Sequence, residues 1–502
     1  MQLEEATIVE LQAAMTDGHM TARQLAHMYI ERIKTIDHAG PTLNSVIEIN
    51  PDALEIADAL DQERNRQGPR GPLHGIPILV KENMATDDRM QTTAGSLALL
   101  NSKVPRDAFV VRKLREAGAV ILGKTNLSEW ANFRSSHSSS GWSARGGQTH
   151  NPYVLNRTPC GSSSGSGVAI SVNLAAAALG TETDGSVLCP SSMNGIVGIK
   201  VTLGLTSRAG VVPIAHSQDT VGPMARTVAD AAAVLGAITG VDERDEVTQE
   251  SAGKFHSNYT QFLDPNGLRG ARIGVARTQY FGTSPKADAI IEAAIKEMKV
   301  LGAVIIDPAD IPTAKHMATS ESEVTVLLYE MKADLNTYLS DLSESAVHTV
   351  ADIIAFNEAH ADQELRYFGQ DLLIRAQETT GLQHPGYLTA LEENHRLSRQ
   401  EGIDAVMEQY QLDALIAPTS SPAWVIDHVN GDHHTGSSTR PTALSGYPAI
   451  TVPAGYAFGL PVGMSFMGRA YSEPTLIKLA YAFEQATKKR RVPGFLPTSE
   501  AY

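Results

Sequence analysis

The residues of this chain whose types could do covalent chemistry are one lysine and two Gly/Ser clusters. Lys81 closes the run PLHGIPILVK (72–81), GSSSGS spans 161–166 and TETDGS spans 181–186. A lysine at the end of a short apolar strand is an unusual cation and calls for an explanation. Glycine permits positive φ and close backbone approach, so both clusters are suited to presenting amide N–H groups and hydroxyls to a ligand. By composition alone they read equally well as flexible linker. A Ser-His-Asp hydrolase would need a G-x-S-x-G elbow, which GTETDGSVL does not supply. Asp427, His428, Asp432, His433 and His434 cluster in sequence, but no HExxH spacing accompanies them, so an exposed polar loop is expected, with no metal and no cofactor. Cys160 and Cys189 are too few for a disulfide scaffold. Their expected state is that of buried, inert thiols, and their redox state stays open.

The elements that must position these residues follow from periodicity and punctuation. A first helix ends near Asp17-Gly18, and Thr21 caps a second with Leu25, Met28, Tyr29, Ile33 and Ile36 on one face. Residues 72–81 read as a turn entering a strand. Asp107 is expected to cap the helix VVRKLREAG, which Gly118 closes before the apolar strand 119–122; this order marks an α/β protein. Strand 271–276, helix 286–301 and strand 303–306 repeat the grammar and continue the sheet. Residues 314–409 carry long helical patterns, a helical portion over the sheet near the substrate entrance. Segments 412–418, 449–453 and 459–468 return the chain to the sheet before a last helix near Glu473. The polar stretch 242–258 reads as an exposed connection.

Composition excludes other classes. With 41 basic and 56 acidic side chains the net charge is −15, and no Lys/Arg block exceeds 488–491, so the electrostatic footprint of a nucleic-acid binder is missing. The 42% hydrophobic and 19% charged fractions are globular values. The most apolar stretch, 167–180, is interrupted by Ser171 and Asn173 and falls short of the ~20 residues a membrane span needs. The N-terminus is acidic and lacks an apolar core, so a cytoplasmic location is expected, or export with the leader absent from this chain.

Lys81 with GSSSGS and TETDGS resembles the amidase signature family. So do HGIPILVKEN (74–83), GAVILGKTNLSEW (118–130), SQDTVGPMARTVADAA (217–232), APTS (417–420), GYPAITVPAG (446–455) and GLPVGMSFMGR (459–469). The resemblance implies one large α/β domain over 1–502, a mixed twisted β-sheet covered by helices on both faces, with a catalytic core segment at 70–230. It further implies hydrolysis of an amide C–N bond through an acyl-enzyme. Residue by residue, Ser186 matches the nucleophile, Ser162 the residue in cis peptide linkage and Lys81 the base. The backbone N–H groups of Thr183, Asp184, Gly185 and Ser186 match an oxyanion hole, with Ser163 and Thr181 as supporting hydrogen-bonding residues.

Two departures stand out. Many relatives carry two glycines before the nucleophile and an arginine two residues after it, where this chain has Asp184-Gly185 and Leu188. TPCGSSSGS, SEWANFR (128–134) and GWSARGGQT (141–149) look most like the bacterial peptide amidase branch, which deamidates peptide C-terminal carboxamides. Aryl acylamidase, carbamate hydrolase, and glutamine-hydrolysing component of a tRNA-dependent amidotransferase are the other readings within the family. The expected partner is a small-molecule or peptide amide, with no nucleic acid or membrane, and the expected oligomeric state is monomer or homodimer. Trp130, Phe133, Trp142 and Arg145 lie in a Ser/Gly-rich stretch, where they either pack as local core or line the pocket and grip the acyl side of the substrate.

Overall fold

The computed structural model describes residues 3–499. Thirteen strands occur in chain order: β1 Val46–Ile49, β2 Pro77–Lys81, β3 Val120–Thr125, β4 Trp142–Ser143, β5 Gly147–Gln148, β6 Ala177–Glu182, β7 Val197–Lys200, β8 Thr220–Ala225, β9 Arg272–Val275, β10 Val304–Ile306, β11 Ala414–Pro418, β12 Ala449–Ala457 and β13 Leu460–Met467. Eleven of them form one sheet in the order β1-β3-β2-β6-β8-β7-β12-β13-β11-β9-β10, and β4 and β5 pair separately. The sheet is mixed. β2 runs parallel to both β3 and β6, β9 runs parallel to β10 and β11, and the other pairs are antiparallel. β2, β3, β6, β7, β8, β11 and β13 are buried along their whole length. Helices on both faces explain why these strands read as continuous apolar runs and not as alternating ones.

The N-terminal helices Ile8–Thr16 and Ala22–Arg32 start from Thr7 and Thr21, each closing a capping box with Glu10 or Gln24. Leu25, Tyr29 and Ile33 turn into the core. One local expectation changes. The helix Phe109–Glu116 begins after Ala108 without a side-chain cap; Asp107 instead accepts from the Asp87 N–H at 2.7 Å and pairs with Arg115 at 2.9 Å. The stretch 242–258 is largely exposed, as its composition suggests, but a few of its polar side chains turn inward as ties. Asp242, Asp245, Thr248 and Ser251 are buried. Asp242 accepts from Ser207 Oγ, and Asp245 pairs with Arg208.

Between residues 314 and 409 the chain forms helices, the longest being Ser322–Ser340 and Pro385–Ser398. A buried cation ties this portion to the loop before the first Gly/Ser cluster. Arg134, fully buried, bonds Glu129 from its own segment, approaches Glu364 at 3.5 Å and donates to the Phe368 carbonyl at 3.3 Å, with its guanidinium 4.2 Å from the Phe368 ring centroid. Removing the cation strands two buried carboxylates, and breaking such an arrangement costs about 3–5 kcal/mol. Arg134→Ala is therefore expected to lower unfolding stability by about that amount in denaturant titration; a loss under about 1 kcal/mol would contradict this account.

Candidate active site

β2 and β6 are parallel neighbours with Val80 opposite Leu179, so their carboxyl ends bring Lys81 and Thr181 side by side. Ligands of α/β sheets bind outside such strand ends. Lys81 is fully buried; its Nζ donates to Ser162 Oγ at 2.7 Å and to Thr181 Oγ1 at 2.8 Å. Burial lowers its pKa to about 7, against the opposing pull of the Asp219 and Glu182 charges. Ser162 follows Gly161 through a cis peptide bond and is itself fully buried. A Cβ on Gly161 would collide with Ser128 Oγ, so only glycine lets the backbone pass there.

Ser186 is 8% exposed and faces a cavity of about 360 Å³. It follows Gly185, whose φ of +79° turns the chain out of β6. Two ties hold that turn. Glu182 Oε2 accepts from the Val187 and Leu188 N–H groups at 2.8 and 2.9 Å, and Ser163 donates its N–H to the Ser186 carbonyl at 3.2 Å. Ser163 Oγ donates to the Thr181 carbonyl and accepts the Thr181 N–H, coupling the two Gly/Ser segments. Among the described residues, the N–H groups of Thr183, Asp184, Gly185 and Ser186 have no protein acceptor, and all four residues line the cavity. Unpaired amides at a cavity wall can stabilise a developing oxyanion.

The structure brings together Lys81, Ser162, Ser163, Thr181 and residues 183–186, but separates the four side chains with a possible role in substrate contact. Phe133 lines the cavity. Trp130 packs into an apolar cluster with Leu127 and Leu335, and Trp142 meets Tyr367 and Phe368 edge to face. Arg145 bonds the buried Glu82 and pairs with the half-buried Glu48 at 2.6 Å, so it balances carboxylates away from the cavity. The polar composition of this loop conceals that its large side chains serve as anchors.

Asp219, Glu323, Thr439 and Arg440 also stand at the site, with no individual role legible in the sequence. Asp219 is buried, which raises its pKa; it accepts Thr183 Oγ1 at 2.5 Å and the N–H groups of Ile214 and Ala215. Asp184 accepts Thr439 Oγ1 at 2.5 Å, and Arg440, 2.9 Å from Glu323, lies 3.9 Å from it. Burial and the Asp184 charge push the Glu323 carboxyl up to about 8. The acidic and histidine side chains of 427–434 do not converge as a ligand group, and the segment is only partly exposed. Asp432 and His434 line the cavity, whereas His428 stacks on Tyr367 at 4.0 Å. Among the described residues one group, His216, Glu330 and Asp334, has metal-ligand proximity. Its polar atoms already bond one another, the Ser217 N–H and hydroxyl, and the Tyr387 hydroxyl. Cys160 and Cys189 form a disulfide, in place of the expected free thiols.

The fold and this arrangement of groups are those of an amide hydrolase. Residues 25–477 match the family Amidase, and the chain belongs to it. The native peptide amidase of Stenotrophomonas maltophilia superposes with a TM-score of 0.94 at 51% identity, covering 98% of this chain and 99% of that one. An Arabidopsis thaliana protein named as an amidase is 45% identical, over 98% of this chain and 92% of its own length. A glutamyl-tRNA(Gln) amidotransferase component from Halorhodospira halophila is 33% identical over 98% of this chain and its whole length. The chain is thus an amidase-signature hydrolase acting on C–N bonds of linear amides. Among the described residues no helix is long and apolar enough to cross a membrane.

The placement of the four side chains makes a discriminating prediction. Phe133→Ala should lower kcat/KM about 10- to 100-fold, the equivalent of about 1.5–3 kcal/mol of apolar contact, beside some loss of stability, since the ring also packs against buried clusters. Arg145→Ala should cost about 3–5 kcal/mol in stability and leave kcat/KM of the folded enzyme within about twofold. Steady-state kinetics beside thermal unfolding separates the two, and a kinetic loss at Arg145 with none at Phe133 would reassign both residues.

Proposed function

We propose that the protein hydrolyses carboxamides of the peptide C-terminal type through an acyl-enzyme on Ser186, with Ser162 and Lys81 as the proton relay. The observation that carries this reading is the buried Lys81 amine, its Nζ 2.7 Å from Ser162 Oγ and its pKa lowered to about 7. At neutral pH a large fraction is then the neutral amine, which can accept a proton. Ser186 Oγ attacks the carbonyl carbon as its proton passes to Ser162 and the Ser162 proton passes to Lys81. The carbonyl oxygen becomes anionic and is met by the N–H groups of 183–186. The proton returns through Ser162 to the departing nitrogen, ammonia leaves, and water attacks the Ser186 ester by the same relay in reverse.

Support for the substrate class comes from the cavity and the relatives. Phe133, Ile214, Leu327, Leu372 and Trp424 give it apolar walls, while Asp184, Asp432 and His434 add polar groups. Such a lining suits an acyl part carrying both side chains and backbone amides. The identity to a peptide amidase exceeds that to the amidotransferase component, which favours an enzyme acting on amides over glutaminase work inside a complex.

Three measurements test this. Ser186→Ala, Ser162→Ala and Lys81→Ala should each cut kcat by about 10⁴ or more, with double substitutions adding little, because they share one proton path. Only the unprotonated amine is a base, so kcat/KM should rise about tenfold per pH unit below pH 7 and level off above it. A profile flat from pH 5 to 9 would contradict the lysine's role. N-blocked dipeptide amides should be cleaved with far higher kcat/KM than acetamide, aryl acylamides, carbamates or free glutamine. Equal efficiency on acetamide would sink the substrate assignment and leave the relay standing.

A further inference from the structure

Both cysteines of the chain sit within three residues of the two serines of the site. Cys160 is two residues before Ser162, and Cys189 is three after Ser186. They are bonded to each other, with their Cα atoms 6.0 Å apart, and both line the same cavity as Ser186 while remaining 5% and 4% exposed. Each is also bonded directly into the backbone that presents its serine. The Cys160 carbonyl accepts Ser164 Oγ at 2.6 Å and its N–H donates to Thr158 Oγ1 at 3.1 Å. The Cys189 N–H donates to the carbonyl of Gly185 at 2.7 Å, the residue whose turn aims Ser186 at the cavity.

The two serines lie on different segments, one opening the helix Ser164–Ser171 and the other on the turn after β6. Apart from the sulfur bridge the segments are tied by hydrogen bonds: the Ser163 N–H to the Ser186 carbonyl at 3.2 Å, Ser163 Oγ to the Thr181 carbonyl and from its N–H, and the Asn194 side chain to the Pro159 carbonyl at 2.9 Å. Relay chemistry tolerates little slack, since a displacement of about 1 Å between reacting groups costs about a hundredfold in rate. The sulfur bridge is the covalent member of this set of ties and stands on the cavity side of it.

We infer that the Cys160–Cys189 disulfide is a positioning element of the hydrolytic relay, holding the Ser162 segment in register with the Ser186 turn, so that opening it slows turnover without unfolding the protein. This rests on the reading of Ser186, Ser162 and Lys81 as the relay. The step that opens it is thiol–disulfide exchange with a dithiol. One thiolate of the reagent attacks one protein sulfur and expels the other as a thiolate. The second reagent thiol then closes on the first and releases the remaining sulfur. Two electrons and two protons pass to the protein, and the reagent becomes a cyclic disulfide. Because the cysteines border the cavity, an occupant of the cavity should shield them from that attack.

The test uses the full chain treated with dithiothreitol, with reduction verified by two iodoacetamide adducts in an acid-quenched sample. Measured before treatment, after it and after reoxidation are kcat and KM on an N-blocked dipeptide amide, the melting temperature, and the rate at which a fluorophosphonate labels Ser186. The expected result is a fall in kcat of tenfold or more with KM changed less than threefold, and a parallel fall in labelling rate. Melting should stay well above the assay temperature, activity should recover on reoxidation, and a saturating peptide aldehyde should slow reduction. A Cys160→Ser/Cys189→Ser variant should match the reduced enzyme and be indifferent to dithiothreitol; where the native bond resists the reagent, this variant decides. Verified reduction, or a folded double variant, with kcat within twofold of the oxidised enzyme overturns the inference. So does a loss of activity that only tracks unfolding. An oxidised enzyme in which Ser186→Ala still turns over amides would instead refute the relay, a result distinct from either.

Discussion

The dehydration of one amine organises this molecule. Lys81 is enclosed at the end of β2, and among the described residues its Nζ hydrogen-bonds two hydroxyls and pairs with no carboxylate. Two other lysines are as deeply buried. Lys124 donates to the Met84 carbonyl and Thr92 Oγ1, and Lys200 to the carbonyls of Thr442 and Tyr447. Burial lowers both, to about 8. The partners differ in kind: Lys200 donates to two backbone carbonyls, Lys124 to one carbonyl and one hydroxyl, and Lys81 to two hydroxyls. A hydroxyl can accept or donate, so only the surroundings of Lys81 can pass a proton on from both partners.

Keeping that site dry requires polar groups around it to be satisfied from within. Asp219 and Glu182, whose charges pull against the lowering of the Lys81 pKa, are bonded to other groups: Asp219 receives three donors, and one oxygen of Glu182 receives two backbone amides. Asp184 is held by Thr439 and lies near Arg440, so the turn before Ser186 is also steadied from the far end of the chain. Charges on this side of the cavity thus serve chiefly as ties between segments distant in sequence.

What is legible in the sequence follows the reach of its signals. The Gly/Ser clusters, the lysine at a strand end and the helix-Gly-strand grammar are local patterns, and each reappears as an element or as part of the site. Asp107 defeats a local reading because a polar side chain looks the same whether it caps, cross-links or faces water. Trp130, Trp142 and Arg145 sit in a loop whose composition suggests exposure, yet their partners lie at Leu335, Tyr367, Phe368 and the two glutamates 48 and 82. The Arg134 pairing with Glu364 and the bond between Cys160 and Cys189 depend on where the fold brings segments together, and nothing in the spacing announces that.

The strand order carries a consequence for how the chain is made. β12 and β13 pair with each other and stand between two groups of strands, those that precede β9 on one side through β7, and β9 to β11 on the other through β11. They are also the last strands to leave the ribosome. Until residue 467 has emerged, the nascent protein holds two separate sheet fragments, each with an open edge of backbone donors and acceptors on β7 and β11, and such edges invite pairing with other chains. Long-range closure of this kind is slow. The interval between synthesis of β11 and arrival of the final hairpin is therefore when these edges are most open to pairing with other chains, and the temperature and pace of synthesis bear on yield more than on finished stability.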